Sequence, residues 1–198
     1  MPEPERPLVV AVVGSPWAHG NTSILVDVVL EELARHGIRV EKVTLGERRG
    51  AGCLGHDDCA ERRVCSLAAA AAADILDAIY VADRLILATL VYYENVSAQM
   101  KAFMDGNVLR YAHDEGLRAK VVGLVAVTAE TGLDETLAAL RRYVAPSTDG
   151  DVPLFSAGGY ADTAGSAAER PELLAAARRL AAARRLAADP AEALLSGA

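Results

Sequence analysis

Leu8-Val9-Val10-Ala11-Val12-Val13-Gly14-Ser15-Pro16-Trp17-Ala18-His19-Gly20-Asn21-Thr22-Ser23 decides how this chain is read. Six apolar residues run without interruption into a turn of small and polar residues. An amphipathic segment then opens at Ile24. The pattern predicts a buried strand, a loop and a helix. A loop that opens a helix presents free backbone N–H groups at the positive end of the helix dipole, where a phosphate binds well. Ser15, Asn21, Thr22 and Ser23 add short polar side chains, and no Lys or Arg lies in the loop.

The missing cation narrows the ligand. A nucleoside triphosphate loop of the form G-x-x-x-x-G-K-[ST] places a lysine on the outer phosphates. Here Gly14, Asn21 and Thr22 occupy the comparable slots. The dinucleotide fingerprint G-x-G-x-x-G is also absent. A single phosphomonoester suits an uncharged loop better. The competing reading is a plain strand-to-helix turn with Gly20 or Asn21 near the N-cap.

Outward from this stretch, strands and helices alternate. Strands are expected at Leu8–Val13, Arg39–Leu45, Arg84–Thr89, Lys120–Val127 and near Val152–Ala157. Helices are expected at Asn21–Arg35, Leu67–Val81, Ser97–Leu109, Leu133–Tyr143 and Pro171–Ala188. Gly37 is the expected stop of the first helix, whose buried side includes Ile24, Val28, Leu30 and Leu33. Near-continuous apolar strands joined by helices imply a parallel sheet covered on both faces. The expected fold class is therefore α/β, a flavodoxin-like three-layer sandwich with five parallel strands in order 2-1-3-4-5. One domain over residues 1–198 is expected, with its core at about 8–188.

Composition sets the outer bounds. The 198 residues are 52% hydrophobic, which suits a folded domain, and the net charge of −7 provides no basic face for nucleic acid. The start, Met1 to Pro7, is acidic and proline-rich and is no signal peptide. No apolar run has membrane-spanning length. Three cysteines lie close together, unlike a secreted disulfide framework. These features point to a soluble cytoplasmic protein that engages neither membrane nor nucleic acid.

In such a sheet the ligand sits beyond the carboxyl ends of the first and third strands. The segment after the third strand reads Thr89-Leu90-Val91-Tyr92-Tyr93-Glu94-Asn95-Val96-Ser97-Ala98-Gln99-Met100-Lys101-Ala102-Phe103-Met104-Asp105. Tyr92 and Tyr93 can wall a flat ring, and nearby N–H groups can serve its polar edge. Equally, both tyrosines can pack on the following helix.

Residues 89–105 resemble the loop-and-helix motif of NAD(P)H-dependent FMN reductases, which reads roughly T-P-V-Y-x-x-x-V-S-A-Q-M-K-A-F-x-D-R. Residues 14–25 match that family's FMN phosphate loop as Gly-Ser-Pro-x-x-x-Gly-Asn-Thr-x-x-Leu. Thr128-Ala129-Glu130-Thr131-Gly132 stands where the family carries a further flavin-contacting loop. The resemblance extends over about residues 8–158.

It implies that Ser15, Asn21 and Thr22 bind the FMN phosphate, with His19 and Ser23 nearby. Leu90, Val91, Tyr92, Tyr93, Glu94 and Asn95 would line the ring and its pyrimidine edge. Ala129, Glu130, Thr131 and Gly132 would border the other side. The implied activity moves electrons from NADPH or NADH through FMN to a quinone, a flavin or another small-molecule electron acceptor, in a homodimer or homotetramer. No side chain is assigned as catalytic acid or base, because the flavin carries the chemistry. The alternatives are an electron-transfer flavoprotein and a biosynthetic FMN-dependent dehydrogenase. Three departures stand out: Leu90 replaces the usual proline, Glu94 stands where a small residue such as glycine is frequent, and Gly106-Asn107 replaces the arginine that often follows Asp105.

The segment Cys53-Leu54-Gly55-His56-Asp57-Asp58-Cys59-Ala60-Glu61-Arg62-Arg63-Val64-Cys65 resembles the C-x2-C-x2-C-x(4–7)-C motif of iron–sulfur flavoproteins. His56 occupies the second cysteine position. An iron–sulfur cluster and a Cys3His zinc site are both chemically allowed. The favoured reading is a set of reduced thiols with no metal, since a lost thiolate removes much cluster affinity. His36 and His113 are expected at the surface, and Asp105 at the end of the third helix.

Overall fold

The computed structural model describes residues 6–47, 53, 55, 61, 73–108, 113, 116–148 and 151–183. Strand β1 (Leu8–Val13) shows why an unbroken apolar run was required. Val9, Ala11 and Val13 face one hydrophobic cluster, while Val10 and Val12 face the other. Side chains alternate across a strand, so a strand covered on both faces must be apolar at every position.

Helix α1 (Asn21–Arg35) buries Leu25, Val26, Val29, Leu30 and Leu33, with Ile24 and Val28 packed at its margin. It ends as expected. Gly37 takes φ +76°, its N–H donates to Ala34 O (2.9 Å), and Ile38 N–H donates to Leu33 O (3.2 Å). Strand β2 (Arg39–Thr44) pairs in parallel with β1 at one edge of the sheet. Helix α2 is described over Ala73–Val81; the earlier part of the expected helix lies outside the described residues.

The largest departure from expectation is at β3. It runs Arg84–Tyr92, so Leu90, Val91 and Tyr92 are strand residues rather than loop. The chain then returns as a two-residue antiparallel strand, β4 (Asn95–Val96), with Val91 opposite Val96 and Tyr92 opposite Asn95. Val91, Tyr92 and Val96 are strong strand formers, and their side chains favour an extended hairpin over an open loop. Helix α3 (Ala98–Gly106) follows, capped by Ser97. The rest is β5 (Val122–Thr128), α4 (Leu133–Val144), β6 (Leu154–Tyr160) and α5 (Pro171–Ala182).

The parallel strands stand in the order β2-β1-β3-β5-β6, with β4 attached to β3. This is the flavodoxin-like arrangement, with six strands among the described residues where five were anticipated. Leu25 and Leu33 of α1 and Leu173 and Leu180 of α5 bury one face of the sheet. Ile79 of α2, Met100 and Phe103 of α3 and Leu140 of α4 bury the other. On that second face Tyr143 meets Phe103 edge-on, with ring centroids 6.2 Å apart. Its hydroxyl is buried with no hydrogen-bond partner among the described residues, and burial first, then Tyr80, pushes the phenol well above its usual range.

Candidate functional site

The turn after β1 is a helix terminus with its donors open. Gly20 is the N-cap of α1 and supplies no side-chain cap. The N–H groups of Asn21, Thr22 and Ser23 fall within the first turn, where a helix offers no acceptor. Ser15, Thr22 and Ser23 are all buried, whereas His19 is exposed. Ser15 Oγ accepts from Trp17 N–H (3.1 Å), which leaves its own O–H free to donate.

Two of the anticipated phosphate residues are also engaged elsewhere. The Asn21 amide N–H groups donate to Ala161 O (3.3 Å) and Thr163 O (2.8 Å), and its Oδ1 accepts from Ala167 N–H (3.1 Å). The side chain therefore ties the start of α1 to the segment after β6, so Asn21 faces the turn through its backbone N–H. Beside this tie, Asp162 accepts from Arg170 at 2.9 Å. Its own backbone N–H first, then Arg170, holds that carboxyl below the usual range. Ser23 Oγ accepts from Lys42 Nζ (2.6 Å), which also donates to Asp27 (2.6 Å). The loop contains no cation, yet the neighbouring strand β2 brings one to its third helical residue.

Beyond β3 and β5 lies a cleft of about 480 Å³ lined by Val91, Tyr93, Glu94, Thr128, Ala129, Glu130 and Thr131. Six of these seven were anticipated; Thr128 was quoted in the sequence but given no role. Thr128 Oγ1 donates to Thr131 O (2.6 Å) and accepts from Glu130 N–H (3.3 Å), which shapes the loop. Leu90 and Tyr92 sit on β3 and Asn95 on β4, with Tyr92 and Asn95 flanking the hairpin tip. Asn95 Oδ1 accepts from Val96 N–H (2.8 Å). Neither tyrosine is sequestered against a helix: Tyr93 is fully exposed at the hairpin tip and Tyr92 is about half exposed.

The tip itself is strained. Tyr93 (φ +49°) and Glu94 (φ +58°) are both left-handed, as a two-residue hairpin of this hand demands. Such a turn usually takes Asn-Gly, and each ordinary residue placed there costs about 1–2 kcal/mol. This explains why a small residue is frequent at position 94. Gly132 (φ +79°) completes the rim. A Cβ there would lie 2.4 Å from Glu94 Cα, so the β5 loop and the hairpin tip are in backbone contact.

Ser97 joins the two halves of the site and had no assigned role in the sequence. Its Oγ donates to Gly14 O in a very short bond and accepts from Met100 N–H (3.1 Å) as the α3 cap. Its N–H donates to Thr89 Oγ1 (3.1 Å). One fully buried serine thus fixes the turn after β1, Thr89 within β3 and the start of α3 together. In the sequence it read only as the first residue of the third expected helix; the partner, Gly14, lies 83 residues away.

Of the cysteine segment, Cys53 is exposed and free, and accepts from Gly55 N–H (3.4 Å). His56, Cys59 and Cys65 lie outside the described residues. No metal-ligating cluster is found among those described. His36 is exposed as expected, 3.5 Å from Glu32. His113 instead is half-buried, with Nε2 buried and unpartnered among the described residues.

A family model described as NADPH-dependent FMN reductase matches residues 7–150. An iron–sulfur flavoprotein of Archaeoglobus fulgidus is 35% identical over 155 residues, covering 76% of this chain and 67% of that protein. Among solved structures, an NADH:FMN oxidoreductase in its apo form superimposes with a TM-score of 0.66 at 20% identity, over 93% of this chain and 92% of that one. An archaeal flavodoxin does so with a TM-score of 0.54 at 12% identity, over 91% and 96%. At these identities the two structures attest to the fold alone.

Proposed function

This chain belongs to the family of NADPH-dependent FMN reductases, and from that premise we propose that it takes electrons from NADPH or NADH and delivers them to a small organic acceptor such as a quinone or a flavin. It is an FMN-dependent oxidoreductase. The observation that carries the reading is the frame built on Ser97. An uncharged helix N-terminus and a ring-sized cleft stand at the ends of adjacent strands, and Ser97 locks them together.

The residues present fit FMN. The first N–H groups of α1 and the hydroxyls of Ser15, Thr22 and Ser23 suit a phosphomonoester, and Lys42, paired with Asp27, donates to Ser23 Oγ behind them. The cleft falls within the usual size of small-molecule sites, roughly 300–1,000 Å³. Val91 and Tyr93 offer apolar and aromatic surface, and the loop 128–131 closes the opposite side. FMN supplies the redox chemistry when bound; the chain's own residues orient it and leave one side of the cleft open to solvent. Trp17 and Tyr160, like Tyr92 and Tyr93, are exposed at the carboxyl ends of the strands. Exposed aromatic side chains along this rim support a homodimer or homotetramer with subunits meeting there. No helix among the described residues is long and apolar enough to cross a membrane, which accords with a cytoplasmic enzyme.

The test is anaerobic mixing of the purified yellow protein with NADPH and with NADH. Loss of the flavin absorbance is expected with at least one of them. If neither bleaches it, the nicotinamide donor is refuted and dehydrogenation of a specific metabolite takes its place.

One observation favours a second reading. The Archaeoglobus relative is named an iron–sulfur flavoprotein, and Cys53, Cys59 and Cys65 with His56 retain much of such a motif. Iron and sulfide analysis of anaerobically purified protein decides it. Stoichiometric iron and sulfide would make the protein an electron carrier between partners.

A further inference from the structure

The cleft carries charge of one sign. Glu94 and Glu130 both line it and both are exposed, and none of its lining residues is Lys, Arg or His. Among the described residues no cation pairs with either carboxylate. The backbone is fixed at both positions. Glu94 occupies the strained hairpin tip against Gly132. Glu130 is held by its N–H to Thr128 Oγ1. Tyr93 stands fully exposed beside them and offers an aromatic face to the same opening.

We infer that Glu94 and Glu130 select electron acceptors by charge, so that planar cationic or neutral aromatic acceptors are preferred over anionic ones. This rests on the FMN-dependent reading above. An anion entering the cleft meets two uncompensated negative charges at short range. A flat cation is drawn by the same charges and by the ring face of Tyr93. Both carboxylates are wetted, so each acts through a high dielectric and the effect is moderate. A cation should bind on the order of tenfold more tightly than an anion of like shape at low salt. The preference should fade with salt, since the screening length falls from about 30 Å at 0.01 M to about 3 Å at 1 M.

The experiment uses the oxidised, FMN-loaded protein without any electron donor. Dissociation constants are measured for N-methylquinolinium and naphthalene-2-sulfonate, two-ring probes of opposite charge, at low and high salt. The same ratio is measured for Glu94→Gln, Glu130→Gln and the double variant. In a separate assay with NADPH or NADH supplied as the electron donor, a quinone and its sulfonated counterpart give the ratio of kcat/KM. The expected result is a cation preference near tenfold in the parent protein, reduced in each single variant and close to unity in the double variant and in 1 M salt. Tighter binding of the sulfonate, or a ratio that the double variant leaves unchanged, overturns the inference. The two readings fail separately. Protein that takes up no FMN refutes the FMN-dependent function and this inference with it, whereas FMN-loaded protein with a charge-independent ratio refutes the inference alone.

Discussion

Replacing Ser97 by alanine removes one hydroxyl that serves two loops at once. The first loss is the α3 cap, in which Oγ accepts from Met100 N–H at 3.1 Å. Removal of a serine cap costs about 1 kcal/mol. The second loss falls on Gly14, whose carbonyl accepts the Ser97 O–H at a fully buried position. A buried acceptor left unsatisfied costs about 1–3 kcal/mol. The N–H of residue 97 still reaches Thr89 Oγ1, so that bond survives. The sum is about 2–4 kcal/mol, which for a chain of this size lowers Tm by about 4–16 °C. Urea unfolding of the apoprotein is the assay: the midpoint should fall while the slope stays constant, which separates lost stability from a changed unfolded state. FMN titration by quenching of flavin fluorescence should show weaker binding in parallel, because the turn after β1 and the segment leading out of the hairpin lose their common anchor. Ser97→Thr keeps a hydroxyl and should restore most of both. A loss below about 0.5 kcal/mol, the range of ordinary surface substitutions, would refute the idea that this serine holds the site together.

Gly132→Ala should destabilise by at least 2 kcal/mol or so, since φ +79° and a 2.4 Å approach to Glu94 Cα both exclude a Cβ; chemical denaturation measures it, and near-neutral behaviour would contradict the rim contact. Glu94→Gly should instead stabilise by about 0.5–1 kcal/mol, as relief of the left-handed strain outweighs the extra freedom of glycine when unfolded; calorimetry of the two proteins side by side reads the sign. Tyr143→Phe should stabilise by about 1 kcal/mol at neutral pH, because it deletes a buried hydroxyl with no described partner. The native Tyr143 pKa is raised by burial, so the folded state resists ionisation. The fold's stability is therefore unaffected by ionisation of this group below about pH 10, the usual phenol value, and declines as pH rises above it; the phenylalanine variant should lose less stability between neutral pH and pH 11.

Much of this architecture was legible along the chain because it depends on local pattern. The apolar run of β1, the stop at Gly37 and the alternation of strands with helices each follow from which residues two covered faces require. The loop composition also sufficed to indicate a helix N-terminus with open N–H groups and no cation in the loop. What sequence order obscured were interactions between distant segments. β3 ran on into a hairpin because Val91 and Tyr92 found Val96 and Asn95 as partners. The side chain of Asn21 turned to the segment around Ala161, which no local pattern connects with it.

From residue order alone came the parallel α/β sheet, the turn that opens α1 and the family membership carried by two motifs, since all three are written in short-range spacing and polarity. Folding in three dimensions decided that Ser97 reaches Gly14, that Lys42 arrives behind Ser23, and that Glu94 and Glu130 share one unneutralised cleft. Those relations exist only once strands far apart in the chain lie side by side, because a hydrogen bond or a Coulomb interaction depends on separation in space.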